Sequence, residues 1–557
     1  MFRKCDITGF EVDKRGEALI KVNAVFAVIF FLVAIIAAFF LVLTRHPTIH
    51  LLPPHLYYRF LTLHGWNALL FWIIFFEIAG LYFGSTVVLN SRFSSPPLGW
   101  LAFFLMLGGA LLINYTILQG KADVLFTSYP PLKAHWLYYL GVLLFAIGAL
   151  LGVILFFANL VVAKREGKWE RSLPLFTFGL LTAAIIAVVT LVSGAIIFIP
   201  TFLWSLGIID KVDPENYRII FWGVGHPAQQ INLAAMISVW YLISYLSVGG
   251  ITPSEKISRL AFLLYIFFIN LASAHHLLVD PAVSPAWKVF NTSYAMYLAV
   301  LGSMIHAYAI PASVELAQRK RGYRGIFAWL TKAPWGNPAF SAMFISLVGF
   351  GFIGGVTGVM IGKEQTNIIH HNTLAIPGHF KGTVVIGTTL AFMGVTYYLI
   401  PLIFRRKIVL YSLAKVQPWL FGLGIAILAI SMLALGYLGV PRRHYDILFS
   451  NAPFKHEFNP AMWFFWTIFV IGGVSAVLGA LLWILIVVLS VFFGPRMKGP
   501  EDMQIPIVLP PQEEKKNPSH SSILCPGTLT LIFIFFVWFM TYFFLNWKWL
   551  SATWYVK

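Results

Sequence analysis

The sequence predicts an all-α, polytopic membrane helical bundle, and three observations lead to that prediction. Of the 557 residues, 59% are hydrophobic and 17% aromatic, whereas only 11% are charged. This composition is typical of membrane proteins rather than of soluble domains. Apolar runs recur along the chain, and each is long enough to cross a bilayer. Backbone polar groups in lipid must be satisfied internally, so the runs are expected to be helices.

About thirteen transmembrane helices are predicted, and together they form a single membrane domain over residues 1–557. Its core helices occupy about 20–492, a cytoplasmic linker covers 493–524, and a peripheral last helix covers 525–547. The predicted spans are 20–44, 63–89, 98–119, 134–163, 173–200, 219–247, 258–280, 288–313, 339–362, 376–404, 409–437, 460–492 and 525–547.

The formal net charge of +18 could suggest a nucleic-acid partner, but the Lys and Arg residues lie in short loops between apolar runs. They concentrate in alternate loops, namely the N-terminal residues and the loops 164–172, 314–338 and 405–407. Such a bias marks the cytoplasmic side. We therefore expect membrane lipid and no nucleic acid as a partner, with the N-terminus cytoplasmic and the C-terminus outside. No internal repeat is visible, which argues against a transporter built from inverted halves.

Five histidines are predicted to lie at similar depth near the outer face: His64, His226, His275, His276 and His379. With alternating topology, even-numbered spans begin outside and odd-numbered spans end outside. Ionisable side chains inside a membrane are candidates for function. A single histidine could equally belong to the interfacial region, but five at one depth indicate a shared site.

The ligand preferences of metals assign these histidines to different groups. Three imidazoles, His226, His275 and His276, suit copper, and suit iron or zinc less well. His379 alone suits one axial position of a five-coordinate haem, and His64 with a partner suits a six-coordinate haem. Residues two apart on a helix are rotated by about 200°. One helix could therefore direct His379 and Lys381 toward two flat cofactors on its opposite sides.

Several short motifs spread over nearly the whole chain match one known family. They are Leu63-His64-Gly65, Tyr129-Pro130-Pro131-Leu132-Lys133, Trp222 to Pro227, His275-His276 with Asp280-Pro281, His371-Asn372-Thr373, Pro377-Gly378-His379-Phe380 and Pro441-Arg442-Arg443. At these residues the chain resembles subunit I of the haem-copper oxidoreductases, in particular the B-type branch of terminal oxidases. The resemblance implies the subunit I fold, two haems, one copper ion and a prokaryotic cytoplasmic membrane.

The resemblance also implies roles for individual residues. His379 would bind the high-spin haem, of a- or b-type, and His226, His275 and His276 would bind the copper facing it. His64 would be one axial ligand of the low-spin haem, expected to be b-type. Basic side chains would lie near the haem propionates and form charge-assisted hydrogen bonds with them; these are Arg442, Arg443 and His371. The arginine pair could instead only set the topology of its loop.

Two positions depart from the family pattern. Oxygen-reducing members carry a tyrosine four residues after the first copper histidine, and here that position is Gln230. The second axial ligand of the low-spin haem is usually a histidine two residues after the high-spin ligand, and here it is Lys381. Burial disfavours an ammonium group, so neutral Lys381 is expected to bind iron opposite His64. The alternative is a charged Lys381 that reaches a propionate through its long stem.

Electron counting makes nitric oxide the first expected substrate. In the family, high-spin haem iron, copper and the tyrosine together supply the four electrons that reduce O2, and Gln230 cannot supply one. Reducing two NO to N2O requires only two electrons. Gln229 and Gln230 could donate hydrogen bonds to an N–O oxygen and stabilise developing negative charge. Well-known nitric oxide reductases have glutamates and iron here, and no glutamate matches those positions.

The leading hypothesis is therefore a nitric oxide reductase of a respiratory chain. The alternative is a terminal oxidase that reduces O2 to water without the tyrosine, and a non-catalytic haem-binding paralogue is a more distant one. The chain has no copper-binding Cys/His/Met cluster for electron entry. Electrons are expected from quinol, or from a cupredoxin-like subunit II that accepts them from cytochrome c or a small copper protein.

Overall fold

The computed structural model describes residues 2–169, 172–269, 271–453, 457–510 and 525–553. Thirteen principal helices run through this part of the chain. They are α1 (Lys14–Arg45), α2 (Pro54–Val87), α3 (Pro96–Leu118), α4 (Trp136–Arg165), α5 (Leu175–Ser205), α6 (Pro214–Val248), α7 (Glu255–Leu264), α8 (Pro285–Lys320), α9 (Pro338–Ile361), α10 (Ala375–Phe404), α11 (Tyr411–Tyr437), α12 (Met462–Phe493) and α13 (Pro526–Thr553). Within the described residues, all of these except α7 are long and apolar enough to cross a membrane. The prediction of an all-α membrane bundle is confirmed.

The remaining elements are short. Strands β1 (Phe2–Lys4) and β2 (Glu11–Asp13) pair antiparallel before α1. Short helices lie between the long ones, at Ala328–Thr331, Glu364–His370 and, as a 3₁₀ turn, Pro500–Asp502. Several long helices contain π-helical stretches, at Trp66–Phe71, Phe83–Val87, Asn291–Ala295, Phe350–Gly355, Lys381–Thr389 and Ile400–Phe404.

Along the described part of the seventh predicted span, 258–280, the type of helix changes twice. Helix α7 continues as a π-helical turn over Tyr265–Ile269, and a 3₁₀ turn over Ala272–Leu277 follows. The side-chain amide of Asn291 donates to the Leu271 carbonyl, so this backbone acceptor has a side-chain donor. The segment lies where the apolar pattern placed it, but its last described turns are 3₁₀ rather than α-helical.

Some predicted helix ends were also wrong. Helix α2 begins at Pro54 rather than at 63, because Pro54 supplies the fixed φ that suits a first helical turn. His64 therefore lies three turns inside the helix instead of at its start. Helix α8 continues to Lys320, beyond the predicted end at 313, because its polar last turns keep their helical hydrogen bonds outside the apolar region.

The three long helices that carry His64, His226 and His379 form the interior of the bundle. In their most apolar 18-residue stretch, 83% of α6, 83% of α10 and 72% of α2 is buried, against 6% of α13. Small residues allow neighbouring helices to approach closely. A Cβ placed on Gly109 of α3 would lie 2.5 Å from the Gly141 carbonyl oxygen of α4. Such contacts stabilise helix pairs in lipid, where apolar burial gives little driving force.

Two loops meet at the start of α10. The Leu374 amide donates to the Val440 carbonyl at 2.9 Å, and the Arg442 amide donates to the Asn372 carbonyl at 2.9 Å. These bonds fix the arginine pair beside α10. Beyond α12, the Val508 amide donates to the Leu246 carbonyl at 2.9 Å. Residues 511–524 of the predicted linker lie outside the described residues.

Candidate metal centre and cofactor cavity

Three histidines converge within the bundle. His226 comes from α6, and His275 and His276 come from the 3₁₀ turn that follows α7. One ligand nitrogen of each lies within 4.8 Å of the other two. The Trp222 ring, one turn before His226, stacks on the His276 ring with centroids 3.8 Å apart and planes 6° apart. The predicted set of three imidazoles is therefore assembled by the fold.

The two nitrogens of His226 face different partners. Its Nδ1 lies 3.1 Å from His276 Nε2, and its Nε2 lies 3.0 Å from Gln230 Nε2. A metal on Nδ1 would leave the proton on Nε2, which would then need an acceptor. Gln230 Oε1 is buried and has no hydrogen-bond partner among the described residues. Rotating the Gln230 amide would place this oxygen on the Nε2 proton, so the site fits a metal ion bound through Nδ1.

His379 lies on α10, on a different helix from the three clustered histidines. Its Nδ1–H donates to the Gly354 carbonyl of α9 at 2.9 Å, and Thr357 Oγ1 lies 3.1 Å from the same nitrogen. Nε2 is thereby left as the free ligand atom. His379 lies near enough to His226 and His276 to interact with them electrostatically. Gly358 of α9 admits the imidazole, since a Cβ there would lie 2.8 Å from His379 Cε1.

Lys381 faces the other side of α10. Together with His64 it lines a cavity of about 730 Å³ whose wall is mainly apolar. His64 donates from Nδ1 to the Ala34 carbonyl of α1 at 3.0 Å, which again leaves Nε2 as the free ligand atom. The side chains of His379 and Lys381 thus lie on different faces of α10, in agreement with the rotation argued from the sequence. The cavity has the size and the facing nitrogen groups that a haem requires.

Basic side chains lie at one region of this cavity wall. Arg442 and Arg443 line it, and so does Arg45. Arg442 Nε is buried without a partner among the described residues. Burial, and next the neighbouring charge of Arg443, lower the pKa of Arg442 to about 9. Arg442 Nη2 donates to Asn372 Oδ1 at 2.9 Å, and the remaining unpartnered Nε donor fits an anionic group such as a propionate. His371 interacts electrostatically with Arg442 and Asp280 and does not line the cavity.

Several residues of the site were not identified from the sequence. Thr357 and the carbonyl groups of Gly354 and Ala34 contact the imidazoles of His379 and His64, and no sequence pattern marks them. Glu77 of α2 and Asn232 of α6 line the cavity. Glu77 did carry a signal, because a carboxylate within an apolar span is itself a functional candidate.

The fold and the site define a membrane-bound metalloprotein with two separate sets of nitrogen ligands. The family model described as "Cytochrome C and Quinol oxidase polypeptide I" matches residues 18–475. The chain therefore belongs to this family, subunit I of the haem-copper oxidases.

Individual relatives agree with the family assignment. "Cytochrome c oxidase subunit 1" of Thermus thermophilus is 34% identical over 402 residues, which is 70% of this chain and 69% of the relative. The protein of the same name from Synechocystis is 27% identical over 432 residues, covering 72% and 73%. A solved structure titled "Cryo-EM structure of a heme-copper terminal oxidase dimer provides insights into its catalytic mechanism" superposes with a TM-score of 0.82 at 26% identity, covering 96% of this chain and 92% of that one.

The predictions of the family, the enzyme class and the cofactors are confirmed. The chain is an integral membrane oxidoreductase of a respiratory chain and binds two haems and one copper ion. The described residues fit these groups. Three clustered imidazoles suit the copper, His64 and His379 each keep a free Nε2, and the cavity lies beside α10.

Proposed function

We propose that this chain is the catalytic subunit of a terminal oxidase that reduces O2 to water. The observation that carries the proposal is the family relationship, since the similar proteins of Thermus thermophilus and Synechocystis bear the name cytochrome c oxidase. The sequence alone ranked O2 second to NO because of Gln230. The relatives favour O2, and they do so without excluding NO.

In this proposal each ligand has a defined role. His226, His275 and His276 hold copper, and His379 holds the high-spin haem opposite them. His64 and Lys381 hold the low-spin haem from its two sides. Arg442 and Arg443 bind propionates at the cavity wall, and His371 is assigned to the same propionates. The orphaned Arg442 Nε and the two free histidine Nε2 atoms support these roles.

The bound groups supply the electrons. Two haems and one copper can together deliver the four electrons that reduction of O2 to two water molecules consumes, with the low-spin haem providing the one that a tyrosine gives elsewhere. The chain contributes ligand positions and protons. The Gln230 side-chain amide holds the His226 ring by a contact with His226 Nε2. The ligand geometry is thus kept although the redox-active side chain is absent.

Reduction of NO to N2O is the second candidate function, and Gln230 is the observation that favours it. The position that is a tyrosine in oxygen-reducing members is an amide that cannot be oxidised. Its Nε2 lies 3.0 Å from His226 Nε2. The Gln229 amide is engaged differently, since it donates to the Gly225 carbonyl at 3.2 Å. Gln230, rather than Gln229, is therefore the amide placed beside the metal site.

The proposal also covers the electron donors and the orientation of the chain in the membrane. Electrons enter through a cupredoxin-like subunit II from cytochrome c or a small copper protein, or directly from quinol. The N-terminus lies in the cytoplasm of a prokaryotic cell and the C-terminus outside. Termini on opposite sides of the membrane require an odd number of crossings. Twelve long helices among the described residues, together with the helical segment that begins with α7, support a total of thirteen.

Side-by-side turnover of the purified complex with O2 and with NO tests the proposal. We expect O2 consumption with water as product at rates well above NO consumption. A His276→Ala variant gives the baseline for both gases. Faster NO consumption, with N2O as product and little O2 reduction, would overturn the oxygen proposal and establish the second candidate.

A further inference from the structure

Glu77 is an unusual carboxylate in this chain. It lies in the middle of α2, between apolar residues, and only 7% of its surface is exposed. Among the described residues, no cation lies near enough to interact with it electrostatically. An ionised carboxylate in such a place would cost several kcal/mol. Glu77 is therefore expected to be a neutral carboxylic acid that carries a proton.

Two other buried glutamates show how the chain treats a carboxylate that is only structural. Glu17 accepts from Arg3 Nε at 2.7 Å and lies 2.8 Å from Lys21 Nζ. Glu315 pairs with Arg319 at 2.6 Å and accepts from Thr528. Both have a cation within contact distance. Glu77 has instead a neutral amide, which leaves its proton available.

That amide belongs to the helix of the copper ligand His226. With its nitrogen facing the oxygen atoms, Asn232 donates to Glu77 Oε1 at 2.9 Å and to the Ala228 carbonyl at 3.2 Å. Asn232 follows His226 by six residues, which is about 9 Å along the helix axis. Glu77, Gln229 and Asn232 all line the large cavity. The carboxyl group is therefore fixed against α6, deeper in the bundle than the metal site.

We propose that Glu77 is a proton-relay residue that holds a proton at the cavity wall and donates it to the reaction beyond α6. The inference rests on the proposed function only in requiring a reaction that consumes protons. O2 takes four protons and four electrons to form two water molecules, and two NO take two of each to form N2O and water. The external donor supplies the electrons. In each transfer Glu77 loses a proton, becomes a carboxylate, and is protonated again by water connected to the bulk phase.

Infrared difference spectroscopy and turnover together test the relay. Glu77→Gln keeps the shape and the acceptor for Asn232 but removes the transferable proton. Glu17→Gln is the matched control, because it makes the same substitution at a buried glutamate outside the cavity. We expect a carboxylic-acid C=O band, sensitive to D2O, in the parent and in Glu17→Gln but not in Glu77→Gln. Turnover of Glu77→Gln should fall on the order of 10²-fold, with reduction of both haems by the donor unchanged.

Glu77→Asp keeps a proton and covers the possibility that glutamine impairs assembly. We expect its infrared band to move rather than vanish, and its turnover to stay within about tenfold of the parent. Two results would overturn the relay: a carboxylic-acid band that survives in Glu77→Gln, or parental turnover without the acid. The infrared measurement does not require O2 or NO as a substrate. If the complex reduced neither O2 nor NO, the proposed function would fail, while the band would still report on Glu77.

Discussion

The two faces of α10 present different environments for the proposed metal ligands. On one face, His379 is fixed by the Gly354 carbonyl and by Thr357, opposite three clustered imidazoles. On the other face, Lys381 extends into a large, mainly apolar cavity opposite His64. No hydrogen bond or ion pair holds the Lys381 amine among the described residues. One face is thus built from rigid, oriented rings, and the other pairs an oriented ring with a flexible amine.

The comparison shows that the direction of a side chain and its suitability as a metal ligand have different physical causes. The helix fixes the directions of residues 379 and 381, because a two-residue offset rotates them by about 200°. The imidazole face further needs hydrogen bonds from neighbouring helices to set its rings. The lysine face needs space and an environment that disfavours the ammonium form. Variants on each face should therefore fail in different ways.

The largest effect is expected on the imidazole face. His276→Ala removes one of the three proposed copper ligands and the ring that stacks on Trp222. We expect loss of copper and complete loss of turnover, with haem content near that of the parent. Metal analysis and pigment quantification of the purified complex measure both quantities. Full activity or full copper content in this variant would refute the copper site.

On the lysine face, Lys381→Ala should change only the low-spin haem. In the proposed arrangement the iron then loses one axial ligand, so the low-spin spectrum should decrease in favour of a high-spin one. Copper content should stay at the parental level, because the three imidazoles lie on the other side of α10. An unaltered low-spin spectrum would instead support a charged lysine that pairs with a propionate.

A smaller and more local effect is expected from Gly358→Ala on α9. Its Cβ would lie 2.8 Å from His379 Cε1, so the imidazole would have to move. We expect reduced occupancy of the high-spin haem and retention of the low-spin haem in optical spectra. Gly351→Ala is the control, because its Cβ would find nothing nearer than Phe535 Cε2 at 3.8 Å. Equal behaviour of the two variants would contradict the placement of His379.

The smallest effect is expected from Thr357→Val, which removes the hydroxyl 3.1 Å from His379 Nδ1. The stronger bond to the Gly354 carbonyl remains. One such hydrogen bond contributes about 1 kcal/mol, so turnover should fall by less than about tenfold. Thr467→Val on α12, where the side chain is exposed, serves as a control in the same assay. A complete loss of activity in Thr357→Val alone would mean that Thr357 does more than orient the ring.

Most of the fold follows from the sequence for a physical reason. A long apolar run in lipid can only be a helix, so the positions of the spans were predictable from composition. Their ends were not, because α2 starts in a polar stretch at Pro54 that hydropathy assigns to a loop. The π-helical and 3₁₀ turns after α7 were not predictable either, and one contact there joins distant parts of the sequence, since Asn291 donates to Leu271 from another segment. Tertiary contacts of this kind leave no local pattern.

Part of the candidate site was predictable as well. The histidine pattern anticipated the cluster of His226, His275 and His276, and the two-residue offset on α10 anticipated that Lys381 lines the cavity with His64, while their roles as ligands stay predictions. The groups that contact these histidines were not predicted. Every residue has a backbone carbonyl acceptor, so the sequence does not mark those of Ala34 and Gly354. Glu77 could have been found as the carboxylate of an apolar span, whereas its bond to Asn232 requires the packing of α2 against α6. The choice between O2 and NO depends on chemistry that ligand positions alone do not determine.

The most direct test of the roles assigned to the two faces of α10 is near-infrared magnetic circular dichroism of the low-spin haem. In this region the charge-transfer band reports the pair of axial ligands. Parent protein, Lys381→His and Lys381→Ala are compared in the oxidised state. We expect a histidine–amine band in the parent, a bis-histidine band in Lys381→His and loss of the low-spin band in Lys381→Ala. The same band in all three proteins would contradict ligation by Lys381 and the account of α10 built on it.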